Sequence, residues 1–168
     1  NTTGSDHLNV ADIATLTVEF KSIHVDGPFH ALAFSEPTLE VVGVSYESNN
    51  SYDDGILHVW NGMDYSIKYM SERGYLGRTW PGVTSVAVGN VDDDADHEIV
   101  VATDYVRDAY IAVINGSDYV QQLARDYNDR SAKMAVALAD FDNDGKDEMV
   151  TGNTEGFIHI LDGITGDI

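Results

Sequence analysis

Two stretches fifty residues apart align without a gap, and this repetition limits the possible architecture more than any other property of the chain. Gly89–Val100 (GNVDDDADHEIV) lies over Ala139–Val150 (ADFDNDGKDEMV). Upstream, Val86-Ala87-Val88 matches Val136-Ala137-Leu138. Downstream, Tyr110–Gly116 matches Phe157–Gly163. A weaker third copy precedes these two: Ala31–Phe34 resembles the first strand, Glu40-Val41-Val42 resembles Glu98-Ile99-Val100, and Ile56–Gly62 repeats the third strand with its turn. Its acidic loop has shrunk to Ser35-Glu36-Pro37-Thr38-Leu39, so this copy reads as structural and has lost the site.

Each unit reads as strand, acidic loop, strand, variable loop, strand, Asn/Asp-Gly turn, strand. The strands are short and rich in Val, Ile, Tyr and Ala, and Asn-Gly between two such runs is a strong hairpin signal. Several are apolar at successive positions, as expected of sheets covered on both faces. No window longer than about ten residues keeps a 3.6-residue period, which excludes a helical reading. The prediction is therefore an all-β chain of β-propeller-type blades, each of four antiparallel strands, about three in number. The blades fall near residues 28–72, 83–127 and 133–168 of a single 1–168 domain.

Fourth strands are expected at Ser66–Met70 and Tyr119–Leu123, whereas the sequence reaches Ile168 before the third blade can form one. An unassigned strand at residues 16–23 is expected to complete that blade, in the same chain or a neighbouring one, which would leave no open edge. Three blades are fewer than the four to eight usual in closed propellers. A small ring, a fragment of a longer protein, and blades completed across subunits all remain open explanations. The sequence opens at Asn1 without an initiator Met, which predicts a processed chain or an excised domain.

The acidic loops carry the chemistry. Calcium takes six to eight oxygens from carboxylates, carbonyls and water, and acids at alternate positions of a tight loop point several of them inward. In the third unit Asp140, Asp142 and Asp144 hold positions 1, 3 and 5, Gly145 permits the turn, Lys146 offers its carbonyl, and Glu148 holds position 9. In the second unit Asn90, Asp92, Asp94 and Glu98 hold the same places, and Asp96 supplies a carbonyl or an extra carboxylate. Ala95 replaces the glycine, where a left-handed conformation would be strained, so weaker binding is expected there. Magnesium keeps its waters and takes few protein ligands, and zinc lacks Cys or suitably spaced His. Calcium is thus the predicted ion.

Val86–Asp92 and Val136–Gly145 resemble FG-GAP/VCBS repeats, the calcium-loop blades of integrin-α-like propellers, which also occur in secreted bacterial and archaeal proteins. The likeness covers residues 85–168 well and 28–70 loosely. It implies structural calcium at the outer end of each blade's first hairpin, held by Asp140, Asp142, Asp144, Lys146 and Glu148, and by Asn90, Asp92, Asp94, Asp96 and Glu98.

Charge narrows the partners. With 29 acids against 9 Lys and Arg, the net of −20 repels nucleic acid and anionic lipid, and bound divalent ions would relieve the self-repulsion. No apolar run is long enough for a membrane helix, so no membrane insertion is expected. Sequons at Asn1, Asn49 and Asn115 fit an extracellular or cell-surface location. No nucleophile elbow, phosphate loop or metalloprotease motif is present, so no enzymatic activity is expected. The leading expectation is a structural module acting in self-assembly or adhesion, as a homo-oligomer or polymer or against another surface protein. The alternative is a carbohydrate-binding or carbohydrate-cleaving fragment using Trp60, Tyr75, Arg78 and Trp80-Pro81-Gly82. His58 and His159 share a strand position that suggests packing, and Asp53-Asp54-Gly55 reads as a solvated turn or a third, irregular ion site.

Overall fold

A computed structural model describes residues 7–23, 29–36, 38–46, 55–72, 83–103, 110–126 and 133–168. Among these residues every regular element is a strand. The first full blade consists of β3 (Phe29–Ser35), β4 (Glu40–Tyr46), β5 (Gly55–Asn61) and β6 (Ile67–Met70), antiparallel in chain order. The second repeats this arrangement with β7 (Val83–Gly89), β8 (Glu98–Thr103), β9 (Tyr110–Ile114) and β10 (Gln121–Asp126). The third holds β11 (Lys133–Ala139), β12 (Glu148–Asn153) and β13 (Ile158–Leu161). The predicted all-β blades of four antiparallel strands are therefore present twice in full.

The blades stack face to face, and the middle one explains the unbroken apolar runs. All residues of β8 and β9 are buried. Ile99, Val101, Ala112 and Ile114 join Val42, Val44, Leu57 and Val59 of the first blade in one core cluster. Val100, Ala102, Ile111 and Val113 join Val136, Met149 and Leu161 of the third in another. Alternate residues serve opposite faces, and each fully buried Val or Ile side chain contributes roughly 1.5–3 kcal/mol.

The N-terminal strand departs from expectation. Val18–Lys21 is β2, and its strand partner is β1 (Asn9–Ala11), in a separate two-stranded sheet. Among the described residues it does not pair with the third blade. The turn between β1 and β2 shows why. Leu16 N–H donates to Asp12 O (2.8 Å), and Asp12 N–H donates to Thr17 O (2.9 Å). The same pair of bonds closes the turns at Asn61–Ser66, Asn115–Val120 and Asp162–Asp167. The fifth position is left-handed in all four, at Leu16, Tyr65, Tyr119 and Gly166. Beyond the turn, Leu8 N–H donates to Ser22 Oγ (2.9 Å), as Leu57 N–H does to Ser71 Oγ (2.9 Å). The hairpin is thus the third-strand and fourth-strand half of a blade, and it meets the first full blade by stacking Phe20 on Tyr65 at 4.9 Å.

Sequence matching missed this half-blade because Ile13 stands where the other turns have glycine. Those glycines press against backbone: a Cβ would collide with Leu39 O at Gly62, with His97 O at Gly116, and with Val91 O at Gly163. Ile13 is exposed and has no such requirement.

Candidate metal centres

Both acidic loops join the first strand of a blade to its second, and each gathers three carboxylates. In the second blade, oxygens of Asp92, Asp94 and Glu98 lie within 4.8 Å of one another. The loop's own backbone turns them inward: Asp94 N–H donates to Asp92 Oδ1 (2.8 Å) and Asp96 N–H to Asp94 Oδ1 (2.8 Å). Glu98 opens β8, is fully buried, and accepts from Val91 N–H through Oε2 (3.0 Å). Its Oε1 and the Oδ1 of Asn90 are buried with no hydrogen-bond partner among the described residues. Burial pushes the Glu98 carboxyl up to about 7, with the charges of Asp92 and Asp94 acting in the same direction. An orphaned glutamate oxygen among crowded carboxylates makes a donor set that fits a hard cation.

In the third blade the trio within 4.8 Å is shifted along the loop, to Asp140, Asp142 and Glu148, which align with Asn90, Asp92 and Glu98. Phe141 N–H donates to Glu148 Oε2 (2.8 Å), Asp144 N–H to Asp142 Oδ1 (3.1 Å), and Gly145 N–H to Asp140 Oδ2 (3.0 Å). Asn143 and Gly145 are left-handed, as the sequence pattern requires of Gly145. Asp144 lies outside this trio; it accepts from Lys146 N–H (2.9 Å), and the Lys146 ammonium reaches Asp93 across the loops (2.6 Å). Asp96 likewise lies outside the second-blade trio, its N–H serving Asp94.

The two loops differ in backbone strain and in shielding. Ala95 is not left-handed, so the second loop turns without the strain anticipated there. Its trio is also better shielded: Glu98 is buried where Glu148 is half-buried, and Asp92 is half-buried, with Asp94 exposed, where both Asp140 and Asp142 are exposed. Coulombic attraction to an ion strengthens as water is excluded, which favours the second blade.

The first blade surrounds its glutamate differently. Glu40 occupies the position of Glu98 and Glu148 and is buried. The Lys68 ammonium from β6 hydrogen-bonds its Oε1, while Thr38 Oγ1 donates to Oε2 (3.1 Å). The Glu40 carboxylate holds the Lys68 ammonium above its ordinary pKa. Sequence reasoning missed both residues, although the register of Glu40, Glu98 and Glu148 was a signal for the first.

His58 is a core residue. Its Nε2 lies 2.9 Å from Ser45 Oγ, and its ring stacks on Trp60 at 5.3 Å. Burial pushes the imidazole down to about 4. His159 is half-buried and stacks with Phe157. Trp60 is buried and cannot present a face to a sugar. Asp53, Asp54, Tyr75, Arg78 and Trp80-Pro81-Gly82 lie outside the described residues.

The stacked sheets define a β-propeller-type protein. Neither a scan against family models nor a search of curated proteins finds a match. Among solved structures, the chain is similar to the β-propeller domain of Cps50 (Swd1) from Myceliophteria thermophila, with a TM-score of 0.62 at 12% identity. That match covers 96% of this chain and 47% of the other, so the chain spans about half the length of that propeller. At this identity the likeness concerns the fold.

Proposed function

We propose that this chain is a calcium-stabilised structural propeller module of the extracellular space or cell surface, acting in self-assembly or adhesion without catalysis. The observation that carries the reading is the second-blade trio of Asp92, Asp94 and Glu98, in which Glu98 is buried and its Oε1 is left without a hydrogen-bond partner. Asn90, Asp92, Asp94 and Glu98 would hold one ion, and Asp140, Asp142 and Glu148 a second. The resemblance of both loops to FG-GAP/VCBS repeats supports the same ion. Both sites are expected to bind calcium at about 10⁻⁴–10⁻³ M, the range of extracellular modules.

The test is a thermal melt in calcium, in magnesium and in chelator, together with sedimentation in each condition. Calcium at a hundred times its Kd stabilises by about 2.7 kcal/mol per site, which raises the melting temperature by several degrees. Equal melting temperatures in calcium and chelator would remove the calcium reading. A monomer of unchanged size in every condition would remove self-assembly while leaving ion binding standing.

A further inference from the structure

The second-blade loop is gripped from the third blade. Asp147 N–H donates to Asn90 O (2.6 Å), and Asn90 N–H donates back to Asp147 Oδ2 (3.1 Å). The carboxylate comes this close because the adjoining residue is Gly89, where a Cβ would collide with Asp147 Oδ2. Lys146, one residue earlier, sends its ammonium to Asp93 (2.6 Å), between the two aspartates of the trio. Two consecutive third-blade residues thus hold the second-blade loop at two points.

The two tethers differ in weight. Asp93 is 79% exposed, and an ion pair in that setting is screened and contributes little. Asn90 and Asp147 are half-buried, and their paired bonds lead directly to the trio. The next residue, Val91, donates its N–H to Glu98 Oε2 (3.0 Å), which leaves Glu98 Oε1 uncommitted. Val91 is 1% exposed, and Gly163 of the third blade closes over its carbonyl. In the third loop the equivalent bond, from Phe141 N–H to Glu148 Oε2, belongs to a residue that is 58% exposed. The third blade therefore fixes the short backbone segment that sets the Glu98 carboxylate. The repeat agrees: the residue before the recurring glutamate is Leu39, His97 and Asp147 in turn, and only Asp147 belongs to a blade preceded by one with an acidic loop.

We infer that Asp147 is a positioning residue of the second-blade ion site, holding Asn90 and Val91 in place and, through the Val91 N–H, the carboxylate of Glu98. The inference rests on the calcium reading of that site and goes beyond it, because the site is then built from two blades instead of one loop. A merely structural Asp147 would tie blade to blade and add stability, leaving the calcium affinity of the folded protein unchanged. Partners that orient a metal ligand change affinity by about 10–100-fold when they are removed.

The test is calorimetric calcium titration of the full chain in an Asp140→Asn, Asp142→Asn background, which leaves the second-blade site alone. Denaturation in chelator first establishes that each variant is folded. Asp147→Ala should weaken the remaining site about tenfold or more. Asp147→Asn, whose side-chain oxygen still accepts from Asn90 N–H, should keep the affinity of the background. Gly89→Ala carries the same test where Asp147→Ala does not fold, since its methyl displaces the carboxylate from Asn90 and should produce the same loss. Unchanged affinity in the folded variant overturns the proposal. An equal loss in Asp147→Asn also overturns it, because the carboxylate then acts through its charge. Binding by the wild type but none by the background overturns it too, since the second loop then holds no site of its own. No binding by the wild type removes the calcium reading itself, and the proposal with it.

Discussion

The Lys68 ammonium hydrogen-bonds the buried carboxylate of Glu40, at the blade position where Glu98 and Glu148 each meet two aspartates. One glutamate thus recurs in three blades with two kinds of neighbourhood. In the first, a lysine supplies the positive charge; in the others, acids crowd together as they do around a cation. Lys68→Met leaves Glu40 uncompensated and should destabilise by about 1–2 kcal/mol, discounted for the partial exposure of Lys68. Lys68→Met combined with Glu40→Gln should recover most of the loss. Chemical denaturation in chelator reads both, since this pair needs no ion.

Glu98 and Glu148 should respond unequally to substitution. Glu98→Gln removes a buried oxygen from the shielded trio, and calorimetric calcium titration should show about a tenfold or greater loss of affinity at one site, roughly 1.4 kcal/mol or more. Glu148→Gln should weaken the other, more exposed site, which is expected to be the lower-affinity of the two. In chelator, Glu98→Gln should raise the melting temperature, because it relieves repulsion with Asp92 and Asp94. A larger affinity loss for Glu148→Gln would restore the ranking expected from the sequence.

Stability should carry a histidine signature in acid. His58 ionises near 6.5 in the unfolded chain and near 4 in the fold, so the unfolded state takes up its proton first. No penalty exists above about pH 6.5; it grows as pH falls and is complete near pH 4, at roughly 3 kcal/mol. The wild type minus His58→Gln difference, measured by denaturation across pH 4–8, isolates this contribution from the titrating carboxylates. A flat difference would exclude it.

Glycine substitutions should separate steric crowding from conformation. Gly116→Ala drives a methyl into the His97 carbonyl, an overpacking that should cost about 2–3 kcal/mol. Gly152→Ala meets nothing within 4 Å and should be neutral or stabilise by about 0.4–1 kcal/mol. Gly145→Ala, at a φ of +94°, should cost about 1–2 kcal/mol and weaken calcium binding at the third blade, because the strain falls inside the loop. Melting temperatures of the three variants, with and without calcium, provide the check.

Much of the candidate site was legible in sequence because its signals are local. Asp92, Asp94, Asp140 and Asp142 sit on alternate loop positions, and backbone N–H groups a few residues away turn them inward. Asp96 and Asp144 had the right spacing, yet neither joins a trio, since loop curvature sets which carboxylates converge. Glu40 and Lys68 are 28 residues apart, and no local pattern announces a pair brought together by strand pairing across a sheet.

By itself the sequence determined the repeat, the strand content and the position of the acidic loops, because these follow from hydrogen-bonding geometry and side-chain periodicity within a few residues. Only the tertiary structure decided that residues 16–23 belong to a half-blade with Asn9–Ala11, that the Glu98 trio is the shielded one, and that Asp147 holds Asn90 from the neighbouring blade. Burial is a property of what stacks on a strand. For a propeller blade those neighbours lie roughly fifty residues away along the chain, beyond the reach of any local pattern.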